Sequence, residues 1–132
     1  GAVIAALPGF LVVANALASI PNPLVNVAVT VTALAGITGS ASGGMSIALA
    51  AMSETFIANG NAAGIPMEVL HRVAAMASGG MDSLPHNGYV VTTIRAICGE
   101  THRGAYPAIG ALTVIVPLGG VLLCIGLFAL GL

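Results

Sequence analysis

Thr38-Gly39-Ser40-Ala41-Ser42-Gly43-Gly44 is the stretch whose reading decides the fold. Every position in it is small or polar. On one side lies the apolar run Leu24–Ile37. On the other lies Met45–Ile57, interrupted by Ser46, Ser53, Glu54 and Thr55. Each run is about 14 residues, or about 21 Å as helix. That falls short of the roughly 30 Å of bilayer hydrocarbon. Two short arms around a Gly/Ser tip predict a re-entrant helical hairpin over residues 24–59, with its tip at 38–44. The alternative is one long crossing, broken in the middle. Asn59-Gly60-Asn61 reads as the turn that closes the segment.

A membrane setting follows from composition. The chain has 132 residues, 58% of them hydrophobic and 5% charged. Soluble domains carry about 25% charged residues. The charged side chains are Arg72, Arg95, Arg103, Glu54, Glu68, Asp82 and Glu100, so residues 1–53 carry no charge. One crossing needs only about 20 apolar residues, so this stretch holds more than one passage. Backbone in lipid must pair its own polar groups, which leaves helices or closed barrels. The apolar runs are continuous rather than alternating, so helices are expected. The fold class is therefore all-α transmembrane: a re-entrant helical hairpin and a discontinuous helix, with flanking transmembrane helices.

Working outward, residues 1–20 form a first crossing, interrupted at Pro8-Gly9 and ended by Pro21-Asn22-Pro23. Residues 66–97 form a helix that opens on Pro66 and carries Glu68 and Arg72 in the favourable i,i+4 order. Glu68 and His71 suit a membrane interface. This helix meets Ser78-Gly79-Gly80-Met81-Asp82-Ser83-Leu84-Pro85-His86-Asn87-Gly88, which cannot remain regular helix, so a break is expected at 78–88. Residues 106–132 form an uncharged terminal crossing, with a kink expected at Pro117-Leu118-Gly119-Gly120. The loop before it carries Glu100, His102 and Arg103, and its cations favour a cytoplasmic side. Ala41-Ser42-Gly43-Gly44-Met45 recurs as Ala77-Ser78-Gly79-Gly80-Met81, each copy where a helix should break. The chain opens on Gly1 in apolar sequence without a basic leader, which suggests a segment of a longer protein.

Unwound backbone at membrane depth is tolerated where it is buried in protein or lines a wet cavity. Broken helices present free N–H groups and positive dipole ends, which bind anions. Thr38, Ser40 and Ser42 add hydroxyls, Gly43 and Gly44 allow close approach, and His86 and Asn87 add donors. This set suits a small hydroxylated carboxylate. Gly39 and Gly43 also read as a small-xxx-small packing pair. Asp82 is an intramembrane acid and a candidate proton carrier, alone or with His86. It reads equally as a helix cap or an arginine partner. Glu54 faces either a cavity or the interface. Cys98 and Cys124 fit no metal or redox spacing, no cofactor is implied, and no basic patch points to nucleic acid.

Three stretches carry a family resemblance: Gly39–Leu49, Glu68–Ala74 and Met81-Asp82-Ser83-Leu84-Pro85-His86-Asn87-Gly88, the last being the most specific. Together they resemble the gluconate permease (GntP) family, most closely its hydroxybutyrate and gluconate permease-like branch, over roughly residues 38–103. The resemblance implies a proton symporter of small hydroxy- or sugar-acid anions in the bacterial inner membrane, with ten or more helices in inverted repeats. This chain would supply most of the second repeat and would work with the remainder of the transporter, commonly as a homo-oligomer. The family motif places the substrate site at Ser40–Gly44 and Asp82–Asn87. Na⁺ coupling is the alternative to H⁺, since carbonyls of a broken helix can hold that ion.

Other classes remain open. Ser42 in a Gly/Ser loop and His86-Asn87 beyond it have the makings of an intramembrane serine protease. A structural membrane subunit would use every glycine for packing. A channel would need no proton coupling.

Overall fold

The computed structural model describes residues 8–132; the first seven residues of the expected 1–20 crossing lie outside the described residues. Every regular element among the described residues is helical, with no strand. In chain order they are α1 (Pro8–Ala18), α2 (Pro23–Thr38), α3 (Ala41–Ala62), α4 (Met67–Ser78), α5 (Gly88–Thr92, running into a π-helical turn at Thr93–Ile97) and α6 (His102–Ala129).

The second helix is the centre of the bundle. Asn22 starts it, its side-chain oxygen accepting from the Leu24 and Val25 amides at 3.0 and 3.1 Å, with Pro23 preset for the first turn. Helix α2 is then buried over most of its surface, through Leu24, Val27, Ala28, Val31, Leu34 and Ala35, and exposed along the stripe Val25, Val29 and Ile37. A helix apolar all round belongs in such a place. Three polar side chains within it are buried and satisfied; one of them, Thr30, donates to Asn26 Oδ1 at 3.4 Å within the helix. Asn26 donates to the Leu17 and Ile20 carbonyls at 3.0 and 3.2 Å, tying α2 to the end of α1. Thr32 donates to the Ala77 carbonyl of α4 at 3.0 Å.

Helices α2 and α3 form an antiparallel hairpin. Pro23 at the start of α2 and Asn59, Ala62 and Ala63 at the end of α3 border one groove. The turn between them is narrower than the 38–44 stretch. Thr38 closes α2, Gly39 takes the left-handed conformation (φ 61°), and Ser40 caps α3 by accepting from Gly43 N at 3.1 Å. Ala41–Gly44 are therefore helical. This extends α3 to 22 residues, or about 33 Å, so on length it is not a short arm.

Asn59-Gly60-Asn61 does not turn either. The helix runs through it to Ala62, and Gly64 supplies the left-handed residue (φ 67°). Gly60 is buried against Leu70 of α4, and a Cβ there would overlap Leu70 Cδ1. Its lack of a side chain serves helix packing rather than chain reversal.

The same device sets the hairpin's width. A Cβ on Gly44 would overlap the backbone N and Cα of Ala35. Gly80, at the matching place of the second Ala-Ser-Gly-Gly-Met copy, lies where a Cβ would meet Leu118 Cδ2 at 2.8 Å and Thr32 Cγ2 at 3.4 Å. The first copy begins a helix and the second ends one. In each, the second glycine faces α2.

Helix α4 ends at Ser78, and the chain is not helical again until Gly88. Helix α6 begins earlier than residue 106, because Thr101 caps it by accepting from Gly104 N at 3.1 Å. Ahead of Pro117 its backbone widens into a π-helical turn at Ala111–Ile115, where Val116 N reaches Ala111 O. Pro117 has no N–H and its ring crowds the carbonyl four residues back, and a wider turn relieves both. Helix α6 is the one described helix long and apolar enough to cross a membrane. Leu112, Ile115, Leu122 and Leu123 are exposed along it, a surface suited to lipid or further apolar protein.

Gly44→Ala should force α2 and α3 apart and cost about 1–3 kcal/mol, the usual range for overpacking. The apparent melting temperature of the intact protein in detergent should fall by several degrees. Gly119→Ala, with open space around the new methyl group, is the control and should not lower it. Equal melting of both variants with wild type would rule out the Gly44 contact as the spacer.

Candidate functional site

The Gly79–Asn87 loop folds against the hairpin turn. Asn87 makes the junction. Its Nδ2 donates to the Gly39 carbonyl and to the Asp82 carbonyl, each at 2.6 Å. Its Oδ1 accepts from the Tyr89 and Val90 amides at 2.7 and 3.2 Å, which caps α5. An amide side chain has two N–H donors and one oxygen with two lone pairs. All four are used within the protein, so Asn87 builds the site and has no spare donor for a ligand. Next to it, His86 Nε2 lies 3.0 Å from the Gly36 carbonyl. A carbonyl only accepts, so this nitrogen carries the proton and Nδ1 is the ring's other polar atom.

The other expected site residues divide by what they already bond. Thr38 donates back to the Leu34 carbonyl at 2.8 Å, with the Ser40 carbonyl also near at 3.2 Å. Ser40 is the α3 cap. Gly44 is buried against α2. Ser42 is exposed in the first turn of α3, and Gly43 is partly exposed beside it. Asp82 is partly buried, and Ser83 Oγ donates to its Oδ1 at 2.9 Å. The hairpin turn, His86, Asn87 and Asp82 thus meet in one place, while Glu54 is exposed further along α3. His86 is turned to Gly36 rather than to Ser42.

Two residues outside the expected set complete the junction. Tyr106 O–H donates to the Ser83 carbonyl at 3.1 Å, and His102 Nε2 donates to the Pro85 carbonyl at 2.9 Å. Their rings stack, 5.7 Å apart and 6° from parallel. They stand at i,i+4 on α6, so they share a helix face. That spacing was the signal available, but nothing local in the sequence says that the face meets this loop.

The electrostatic result is a meeting of helix ends. The amino termini of α3, capped by Ser40, and of α6, capped by Thr101, both lie against the loop through Asn87–Gly39 and His102–Pro85. Such ends carry partial positive charge and unpaired N–H groups.

The chain is similar to a protein named as an uncharacterized transporter, YxjC, of Bacillus subtilis (strain 168). The two are 59% identical over 116 residues, covering 87% of this chain and 24% of that protein. The chain thus spans about a quarter of its relative's length. No family model matches the chain, and no solved structure matches it.

Asn87→Ala should remove the α5 cap, about 1 kcal/mol, and strand two carbonyls at about 1–3 kcal/mol. Cleavage within residues 79–88 of the intact protein by a broad-specificity protease should speed up about tenfold or more. Asn87→Asp retains the cap and loses both donors, so its cleavage should fall between the two. Unaltered cleavage in both variants would show that the amide does not hold the loop.

Proposed function

We propose that this chain is the part of a secondary active transporter that binds substrate and couples its movement to protons. The substrates are small hydroxy- or sugar-acid carboxylates such as gluconate or 3-hydroxybutyrate. The single observation that carries the reading is the convergence of the α3 and α6 amino termini on the non-helical Gly79–Asn87 loop, beside a partly buried acid. Positive helix ends favour a carboxylate, and non-helical backbone at the ends of apolar helices is where transporters bind their ligands. The identity with a protein named as a transporter supports the general role.

In this reading the ligand carboxylate lies at the first turn of α3, near Ser42 and Gly43. Asp82 or His86 takes the proton. Asn87, Ser40 and Gly44 shape the site without touching the ligand. The whole transporter is a multi-pass protein of the bacterial inner membrane, and the remaining three quarters of its length supply the other half of the cavity.

Uptake of radiolabelled gluconate and 3-hydroxybutyrate by vesicles holding the intact protein tests this, with and without an imposed pH gradient. Wild type should accumulate substrate only with the gradient. Asp82→Asn and His86→Ala should each reduce that uptake at least tenfold. His86→Gln separates the roles: it can still donate to the Gly36 carbonyl but cannot carry a proton, so it should be as defective as alanine if His86 titrates. Uptake indifferent to the gradient, or normal in all three variants, would exclude proton coupling through this loop.

A further inference from the structure

Helix α6 is held unevenly. Its carboxy-terminal part packs into the bundle: Val121 is buried, Leu118 lies over Gly80, and Met76 Cε approaches Gly120. Its first nine residues, His102–Gly110, bury none of their side chains. The polar ties of this part to the loop are the two already described, His102 to the Pro85 carbonyl at 2.9 Å and Tyr106 to the Ser83 carbonyl at 3.1 Å.

Between the packed and unpacked parts lies the π-helical turn Ala111–Ile115. Pro107 and Pro117 flank it, and each withholds the N–H that would bond the carbonyl four residues earlier. Helices bend at such points, where the ladder is already widened or short of a bond.

We propose that His102–Gly110 is a hinged arm that latches over the Gly79–Asn87 loop and swings away from it about the Ala111–Ile115 turn. The latch grips the carbonyls one and three residues beyond Asp82, so closing the arm fixes the carboxylate's position and opening it frees the loop. Tyr106 and His102 are positioning residues, acting on Asp82 through the loop. The latch as a gate for substrate rests on the transport reading; the motion itself rests on the geometry alone.

The test is a distance measurement in the intact protein, in the absence of substrate. Cys98 and Cys124 are replaced by serine, and spin labels are attached through Ser46→Cys on α3 and Arg103→Cys on the arm, both exposed positions. Pulsed electron resonance then reports the distribution of distances between them. A control pair joins Ser46→Cys to Leu123→Cys on the packed part of α6, where the side chain is also exposed.

Tyr106→Phe removes one hydrogen bond and keeps the ring that stacks on His102. It should raise the long-distance population of the arm pair about fivefold, the worth of one net hydrogen bond. Adding His102→Ala should raise it further, and the control pair should not change. An arm pair unmoved by Tyr106→Phe, or a control pair that shifts with it, would overturn the proposal. Should the double variant fail to fold, Tyr106→Phe alone decides. Because no substrate is present, the result stands whether or not carboxylate uptake is found.

Discussion

A chain this apolar cannot leave backbone polar groups unpaired without a cost of several kcal/mol each in lipid. The Asn87 side chain meets that constraint at the point where it is hardest to meet, between a helix that has ended and one that has not begun. It satisfies two carbonyls that the hairpin turn and the loop leave free, and two amides that α5 leaves free. His86, His102 and Tyr106 do the same for the Gly36, Pro85 and Ser83 carbonyls. The loop is therefore ordered by side chains, its own Asn87 and His86 and the His102 and Tyr106 of α6, rather than by regular backbone pairing. A non-helical stretch built this way can differ from a helix in shape while side chains satisfy three of its carbonyls, those of Asp82, Ser83 and Pro85.

The second constraint is distance of approach. Helix α2 packs against α1, α3, α4 and α6, and glycines bring α3 and the end of α4 near it. Gly44 lets α3 reach the Ala35 backbone, and Gly80 lets the end of α4 lie under Leu118 and beside Thr32. Close approach brings backbone polar groups within reach of short side chains, which is how Thr32 finds the Ala77 carbonyl. Glycines that read as possible ligand contacts are thereby divided. Gly44 and Gly80 are used for packing, and Gly39 for a left-handed turn. Gly43 is partly exposed beside the exposed Ser42.

Some of the difference between sequence and structure comes from this division of labour. Asn59-Gly60-Asn61 has the composition of a turn, yet α3 continues through it, because the packing of Leu70 on Gly60 outweighs local preference. Ala41-Ser42-Gly43-Gly44 looks like irregular tip, yet it is the first turn of α3, because Ser40 supplies the cap and Gly44 packs on α2. Helix propensity is a weak preference, about 1 kcal/mol for a glycine, and one tertiary contact can reverse it.

What the sequence determined by itself was the class and its punctuation. Continuous apolar runs with few charges favour helices, and every regular element among the described residues is helical. The Gly79-Gly80 pair and Pro85 oppose helix, and they lie in the non-helical stretch. Asn22, Ser40, Asn87 and Thr101 each cap a helix, although in sequence Ser40 and Asn87 read as ligand donors and Asp82 as the candidate cap. All of these are effects among residues within a few positions of one another. The tertiary structure alone decided which ends meet. Asn87 bonds a carbonyl 48 residues away, His86 one 50 residues away, and Tyr106 one 23 residues away. Bonds of that span depend on how α2, α3, α4 and α6 pack, and helical periodicity says which face of a helix is apolar but not which helix lies against it.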